Sequence, residues 1–163
     1  MLRVAILTVS DRGSRGERDD TSGPLLAAWL EERGAKVAET GIVPDEKTLI
    51  SERLVEWADG GGCELILTTG GTGVSPRDIT PDATAEVLDR IIPGFGEAMR
   101  LKGLEKTPMA IISRAIAGIR GEALIINLPG SPKAALENLS TVWAAVPHTI
   151  EKIQGDTRDC GSE

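Results

Sequence analysis

Short apolar runs rich in β-branched residues alternate along the chain with stretches in which apolar residues recur every three or four positions. This is the pattern of βαβ units built around a buried, mostly parallel sheet. The first run covers residues 3–9 (RVAILTV). A polar segment, 10–22, separates it from a helix that Ser22 is placed to cap. Pro24 falls in its first turn, Leu25, Leu26, Trp29 and Leu30 share one side, and Gly34 ends it. Residues 35–43 form a second strand, interrupted by Glu39, Thr40 and Gly41. The next helix, 46–59, carries Ile50, Leu54, Trp57 and Ala58 on one stripe and is stopped by Gly60, Gly61 and Gly62. Residues 65–69 (LILTT) are a continuous buried-type run leading straight into Gly70-Gly71-Thr72-Gly73.

Downstream, Thr80 caps and Pro81 opens a helix expected to reach residue 91, and Pro93-Gly94 separates it from a short helix over 95–101. Residues 110–128 hold two apolar runs split by Arg120-Gly121-Glu122, a hairpin-like pair whose second run is expected to be central. Ser131 caps and Pro132 opens the last helical region, where Ala135, Leu139, Val142 and Val146 keep helical spacing until Pro147 kinks or breaks it. Residues 1–155 thus read as one α/β domain, and 156–163 as a polar tail expected to fray.

Composition narrows the functional classes. The 163 residues, 40% apolar and 26% charged, suit one ordinary globular domain. With 18 Lys and Arg against 25 Asp and Glu, the net charge is −7, and three Trp, one Phe and no Tyr supply almost no stacking surface. Neither nucleic acid nor an anionic membrane is an expected partner. No run approaches the ~18 apolar residues of a membrane span and no leader-cleavage pattern is present, so a cytoplasmic protein is expected. Cys63 and Cys160 lack metal-ligand spacing and fit a reducing compartment, Cys63 as core filler and Cys160 as part of the tail. The single histidine, His148, sits in an apolar helical stretch where a surface or capping role outweighs that of a catalytic base.

Four places gather glycine, proline and polar residues directly after expected strands, where open α/β sheets bind ligands. In Thr68–Gly73 (TTGGTG) the glycines permit a tight turn that aims successive amides at a phosphate or carboxylate, the alternative being a ligand-free turn. The spacing matches neither a P-loop nor a dinucleotide fingerprint. Asp78, in Ser75–Asp82, stands beside that nest, where a carboxylate would repel phosphate unless a divalent cation lies between them; it reads as a metal ligand or a turn residue. Asp45, after the second strand, is either a helix cap or, if the second and third strands are neighbours, a companion to Asp78 in an oxygen-only set suited to Mg²⁺. The fourth is Asn127–Pro132, a strand end turning into a helix whose N-terminal amides are either a further anion site or simply a well-capped helix start. The 10–24 segment, with Arg12, Arg15 and Arg18 among acids, is a solvated loop or a lid over an anionic substrate.

Together TVSDRGSRGERDDTSGP, IVPDE, LILTTGGTGVSPRDITPDAT, IPGFGEAMR and LIINLPGSPKA resemble, in order and spacing, the molybdenum cofactor biosynthesis proteins of the MogA/MoaB type. The resemblance spans nearly the whole chain. It implies a three-layer α/β/α fold with a mostly parallel sheet and a short antiparallel element, usually a homotrimer, that binds molybdopterin. In catalytic members ATP and Mg²⁺ serve to adenylylate molybdopterin. By this resemblance Asp45 and Asp78 become the essential, metal-holding acidic pair, and Gly70, Gly71, Thr72 and Gly73 the phosphate cradle. Ser10, Asp11, Arg12, Thr21, Ser22 and Gly23, with Asn127, Pro129, Gly130 and Ser131, become walls of the substrate pocket. It leaves two other roles open: a non-catalytic MoaB-type binder, and a trimeric module delivering cofactor intermediates to a molybdate-inserting partner.

Overall fold

The structure, a computed structural model, describes residues 1–158. Its elements in chain order are β1 (Arg3–Val9), α1 (Asp11–Ser14), α2 (Ser22–Glu31), β2 (Lys36–Val43), α3 (Lys47–Asp59), β3 (Leu65–Thr69), α4 (Thr80–Val87), β4 (Arg90–Ile91), α5 (Pro93–Leu104), β5 (Ala117–Arg120), β6 (Ala123–Leu128), α6 (Pro132–Val142) and α7 (Val146–Ile153). The strands form one sheet in the order β2-β1-β3-β6-β5-β4. From β2 to β6 all pairs are parallel; β5 and β4 are added antiparallel at the far edge.

The alternation of side chains along the central strands divides the core in two. Val4, Ile6, Leu65, Leu67, Leu124 and Ile126 face α2, α5, α6 and α7, meeting Leu26, Leu30, Met99, Leu139 and Ile150. On the opposite face, Ala5, Leu7, Ile66 and Ile125 pack on Ile50, Leu54 and Trp57 of α3 and on Ala83 and Val87 of α4. Burial on both faces explains why β3 and β6 read as unbroken apolar runs, and it makes the molecule three layers, α/β/α. Cys63 is buried in the second cluster, as expected of a core filler, while Cys160 lies outside the described residues.

Several boundaries differ from the sequence reading, each for a tertiary reason. The second and third strands are not neighbours, because β1 inserts between them. The helix expected to reach residue 91 ends at Val87; Leu88 turns extended, and Asp89 donates its amide to the Ile119 carbonyl as the chain joins the sheet edge. Residues 110–112 belong to a 3-10 turn (Pro108–Ile112) and not to the hairpin, which begins at Ala117. The helix expected over 95–101 runs from Pro93 to Leu104. The last helical region breaks four residues before Pro147, since proline has no N–H to offer the Trp143 carbonyl; a 3-10 turn (Trp143–Ala145) intervenes. Neither Ser22 nor Thr80 caps its helix. Both are already helical, and their hydroxyls donate elsewhere, Ser22 to the Gly130 carbonyl at 2.8 Å and Thr80 to the Gly70 carbonyl at 2.9 Å.

Asn127 is fully buried between the layers. Its amide nitrogen donates to the hydroxyls of Thr68 (3.0 Å) and Thr84 (2.9 Å), and its oxygen accepts from the Ile116 amide (3.3 Å). Asn127→Ala is expected to strand these groups and destabilise the fold by about 2 kcal/mol or more in urea denaturation, the cost of unsatisfied buried polar atoms.

Candidate active site

The chain leaves β1 toward β2 on one side and returns to β3 on the other, so the connections leaving the adjacent carboxyl ends of β1 and β3 diverge at a topological switch point. A cavity of about 400 Å³ opens there. Its floor is Thr8, Val9 and Ser10 at the end of β1 with Thr69, Gly70 and Gly71 at the end of β3; Asp45 and Asp78 flank it, and Gly130 and Ser131 close one side. The polar segment after β1 supplies the rest, Gly13, Arg18, Asp19, Asp20, Thr21 and Ser22.

Gly70 and Gly71 adopt φ of 106° and 65°, and a Cβ on Gly70 would collide with the Val9 carbonyl, so only glycine lets the two strand ends lie this close. The turn is pinned from outside: the Gly70 amide donates to the Leu128 carbonyl at 3.1 Å, and the Thr80 amide donates to the Gly71 carbonyl at 3.1 Å.

Asp45 does not cap α3, whose N-cap is Glu46. It is locked to Asp11 reciprocally: the Asp11 amide donates to Asp45 Oδ2 at 2.9 Å, and the Asp45 amide to Asp11 Oδ1 at 3.0 Å. Arg77 then binds the outer side of the pair, donating to both Asp11 oxygens (2.6 and 2.9 Å), to Glu46 (2.9 Å) and to the Asp45 carbonyl (3.1 Å). These bonds hold the Asp11 carboxyl down at about 2. Asp45 moves the other way. Burial pushes its carboxyl up, the Asp11 amide pulls it partly back, and the charges of Asp11 and Asp78 push it up again.

Asp78 is a turn residue through one oxygen: Oδ2 accepts from the Ser75 amide (2.9 Å) and hydroxyl (2.7 Å). Its Oδ1 has no protein donor among the described residues, so the turn role and a ligand role are compatible.

Of the remaining residues singled out by sequence, Ser10, Thr21, Ser22, Gly70, Gly71, Gly130 and Ser131 line the cavity. Asp11 braces Asp45 from behind, Gly23 packs under Asp20, and the exposed Arg12 is not among the lining residues. Thr72, Gly73 and Pro129 border a separate, more apolar hollow of about 290 Å³ between the glycine loop, α5 and α6. Asn127 is structural, buried between the layers with its amide fully bonded. Among the other arginines of the 10–24 segment, Arg15 pairs with Glu17 and Arg18 lines the cavity.

Asp20 is a site residue that sequence reasoning misses. Its Oδ1 accepts from the amides of Ser22 (3.1 Å) and Gly23 (3.0 Å) and so caps α2, while Oδ2 accepts from the Thr8 hydroxyl at 2.7 Å. An acid two residues ahead of a Ser-Gly helix start is the available signal.

Residues 5–148 match the family model described as a probable molybdopterin binding domain. The chain belongs to this molybdopterin-binding family. It is 45% identical to the molybdopterin adenylyltransferase of Haemophilus influenzae, an alignment covering 95% of this chain and 86% of that protein. It is 43% identical to the molybdopterin adenylyltransferase of Escherichia coli K12, covering 94% and 86%. Among solved structures, the molybdopterin biosynthesis enzyme MoaB of Thermus thermophilus superposes with a TM-score of 0.90 at 53% identity, covering 96% of this chain and 98% of that one. The Mog protein of Mycobacterium ulcerans does so at 0.88 and 38%, covering 94% and 99%. The matched segment contains both acids, the glycine loop and the Gly130-Ser131 wall, so the family's domain and the cavity coincide in this chain.

Because Asp11 is held ionised by Arg77, it contributes stability that is present above its ordinary carboxyl range and lost as pH falls toward about 2. Arg77→Ala is expected to return the Asp11 titration to the ordinary range, read by carbon NMR of the side-chain carboxyl, and to shrink the acid-limb loss of stability. An unmoved titration would mean Arg77 is not what holds it.

Proposed function

We propose that the protein is a molybdopterin adenylyltransferase, transferring AMP from ATP to the terminal phosphate of molybdopterin and releasing pyrophosphate. The observation that carries this reading is the cavity at the β1/β3 switch point, where a glycine turn meets Asp45 and Asp78 in a chain closely similar to adenylyltransferases. One pterin phosphate oxygen bonds to the α-phosphorus of ATP as the bond to the bridging oxygen breaks, and that electron pair leaves with pyrophosphate. The nucleophile is an anion near neutral pH and needs no general base. His148, in α7 beside Glu151, is accordingly spared.

Asp19, Asp20, Asp45 and Asp78 line the cavity against one arginine, Arg18, an acidic wall for two polyanionic substrates. That mismatch, the burial of Asp45 and the unpartnered Oδ1 of Asp78 fit a hard divalent cation, Mg²⁺, held by Asp45 and Asp78. Among the described residues no three acidic, His or Cys side chains gather as a metal cage, so waters and phosphate oxygens would have to supply the cation's other ligands. When bound, Mg²⁺ would neutralise phosphate charge. The chain's own contribution is positioning: the Asp11–Arg77 brace orients Asp45, and the Gly70-Gly71 turn leaves room in the cavity floor for the phosphates to approach the backbone. Ser10, Thr21, Ser22, Gly130 and Ser131 shape the remaining wall.

We further infer a homotrimer in the cytoplasm. Leu101, Leu104, Met109, Ile111 and Ile112 are exposed on α5 and the following 3-10 turn, apolar surface that self-association would cover. Among the described residues no helix is long and apolar enough to cross a membrane, and the free Cys63 thiol suits a reducing compartment. Light scattering at micromolar concentration is expected to give the trimer mass; a stable monomer would remove the inference.

Incubation with molybdopterin, ATP and Mg²⁺ is expected to yield pyrophosphate and the AMP-bearing pterin. Asp45→Asn and Asp78→Asn should each cost several kcal/mol in the transition state, on the order of 100-fold or more in rate, while pterin binding suffers less. A phosphomonoester with its second pKa near ~6 should make the rate fall below about pH 6 and level off above about pH 7. The raised carboxyl of Asp45, which must be ionised to hold a cation, acts in the same direction. His148→Ala should leave that profile unchanged. Wild-type turnover in both Asn variants would refute the mechanism.

A further inference from the structure

Arg114 lies outside every motif that carries the family resemblance, between the Pro108–Ile112 turn and β5, and it does not line the cavity. Its bonds nevertheless converge on the segment joining the glycine turn to α4. The Arg114 amide donates to the Thr72 carbonyl at 2.8 Å, and Nε donates to the Gly73 carbonyl at 2.8 Å. One terminal nitrogen donates to the Asp78 carbonyl, and the guanidinium fork grips both oxygens of Asp82 in the first turn of α4, at 2.9 and 3.2 Å. Three carbonyls of one loop and the helix that follows it thus converge on one residue.

The consequence is geometric. In a trans peptide the C=O and the following N–H point in opposite directions. Holding the Thr72 and Gly73 carbonyls toward Arg114 therefore turns the Gly73 and Val74 amides away from it. Among the described residues neither amide donates to a protein acceptor; Gly73 borders the neighbouring hollow, so what Arg114 holds in the cavity wall itself is Asp78. Holding the Asp78 carbonyl fixes the backbone on which the Asp78 carboxylate stands. The fork cannot be replaced by an ammonium group, which cannot span Gly73, Asp78 and Asp82 in one plane.

We propose that Arg114 is the positioning residue of the nucleotide side of the site: it fixes the loop that runs from the glycine turn to α4 and with it the place of Asp78 in the cavity wall, and through them the affinity for the ATP polyphosphate. The proposal deepens the adenylyltransferase reading and rests on it for the identity of the nucleotide. A merely structural arginine would, when removed, lower stability and the folded fraction without changing the constants of the molecules that remain folded.

The test compares wild type, Arg114→Lys, Arg114→Ala and, as a control, Arg120→Lys, whose arginine makes a similar two-point pair with Asp59 at the opposite end of the hairpin strand. ATP affinity is measured by titration calorimetry on folded protein, and kcat and KM for each substrate by pyrophosphate release. Both Arg114 variants are expected to lose about 10- to 100-fold in kcat, the scale of a small misplacement. KM and Kd for ATP should rise several-fold while the pterin KM stays within about twofold. Millimolar guanidinium should restore part of the ATP affinity of Arg114→Ala, and Arg120→Lys should match wild type in every constant. Unchanged ATP Kd and kcat in folded Arg114 variants, or losses that follow only the folded fraction, would overturn the proposal, as would a wild type without ATP affinity. A wild type that binds ATP in an Arg114-dependent way yet releases no pyrophosphate would instead remove the transferase reading and leave the loop assignment standing.

Discussion

The Gly70 backbone rests so close to the Val9 carbonyl that no side chain fits between them, and the geometry of the cavity follows from that approach. It brings the ends of β1 and β3 together at the point where the chain has turned from one side of the sheet to the other. With no side chain in the way, the loops after β1, β2, β3 and β6 all reach one cavity. Hydroxyls then tie those loops to each other: Thr80 to Gly70, Thr69 to Pro129, Ser22 to Gly130. The last two bonds join segments 60 and 108 residues apart, and the first closes the β3–α4 connection on itself, so loops that meet at the cavity are tied to each other.

Charge is arranged around this cavity in two layers. Asp19, Asp20, Asp45 and Asp78 face inward beside Arg18, and behind them stand ion pairs, Arg77 with Asp11 and Glu46 and Arg114 with Asp82. The outer cations do not cancel the inner charge; Asp45 has its carboxyl pushed up, because burial and the neighbouring carboxylates outweigh the brace from Asp11. What the outer layer supplies is order. Exposed ion pairs contribute little to stability on their own, so the value of these arginines lies in the backbone carbonyls they also bind, at Asp45, Gly73 and Asp78.

Much of the fold is legible in the chain because parallel strands buried on both faces leave unmistakable apolar runs, and β1, β3 and β6 fall where those runs are. Strand order is not, since nothing local says that β1 separates β2 from β3. The end of α4 escapes for a similar reason: Asp89 and the short β4 are recruited by hydrogen bonds to β5, about thirty residues away. Within the site, Asp45 and Asp78 stand out as carboxylates beside an anion-binding turn, a conflict that reads locally. Asp20, Arg77 and Arg114 do not, because their roles depend on partners as far as 66 residues away that only folding brings near.

The acidity of the cavity also bears on whether such a domain transfers a nucleotide or only holds a pterin. A protein selected solely to bind a phosphorylated pterin gains most from lysines and arginines, since each carboxylate facing the ligand repels it. This cavity presents Asp19, Asp20, Asp45 and Asp78 with one arginine, an unfavourable lining for a simple anion receptor. The repulsion is offset if a cation stands between the acids and two polyanions, where its charge is most useful as the phosphates meet. Structural duties account for only some of these acids: Asp20 caps a helix and Asp78 closes a turn, yet Asp45 is half-buried with its carboxyl pushed up and caps nothing. An asparagine there could accept the Asp11 amide equally well without the electrostatic penalty, so the negative charge itself is the feature that the fold alone does not require, and it favours the transferase over the passive binder.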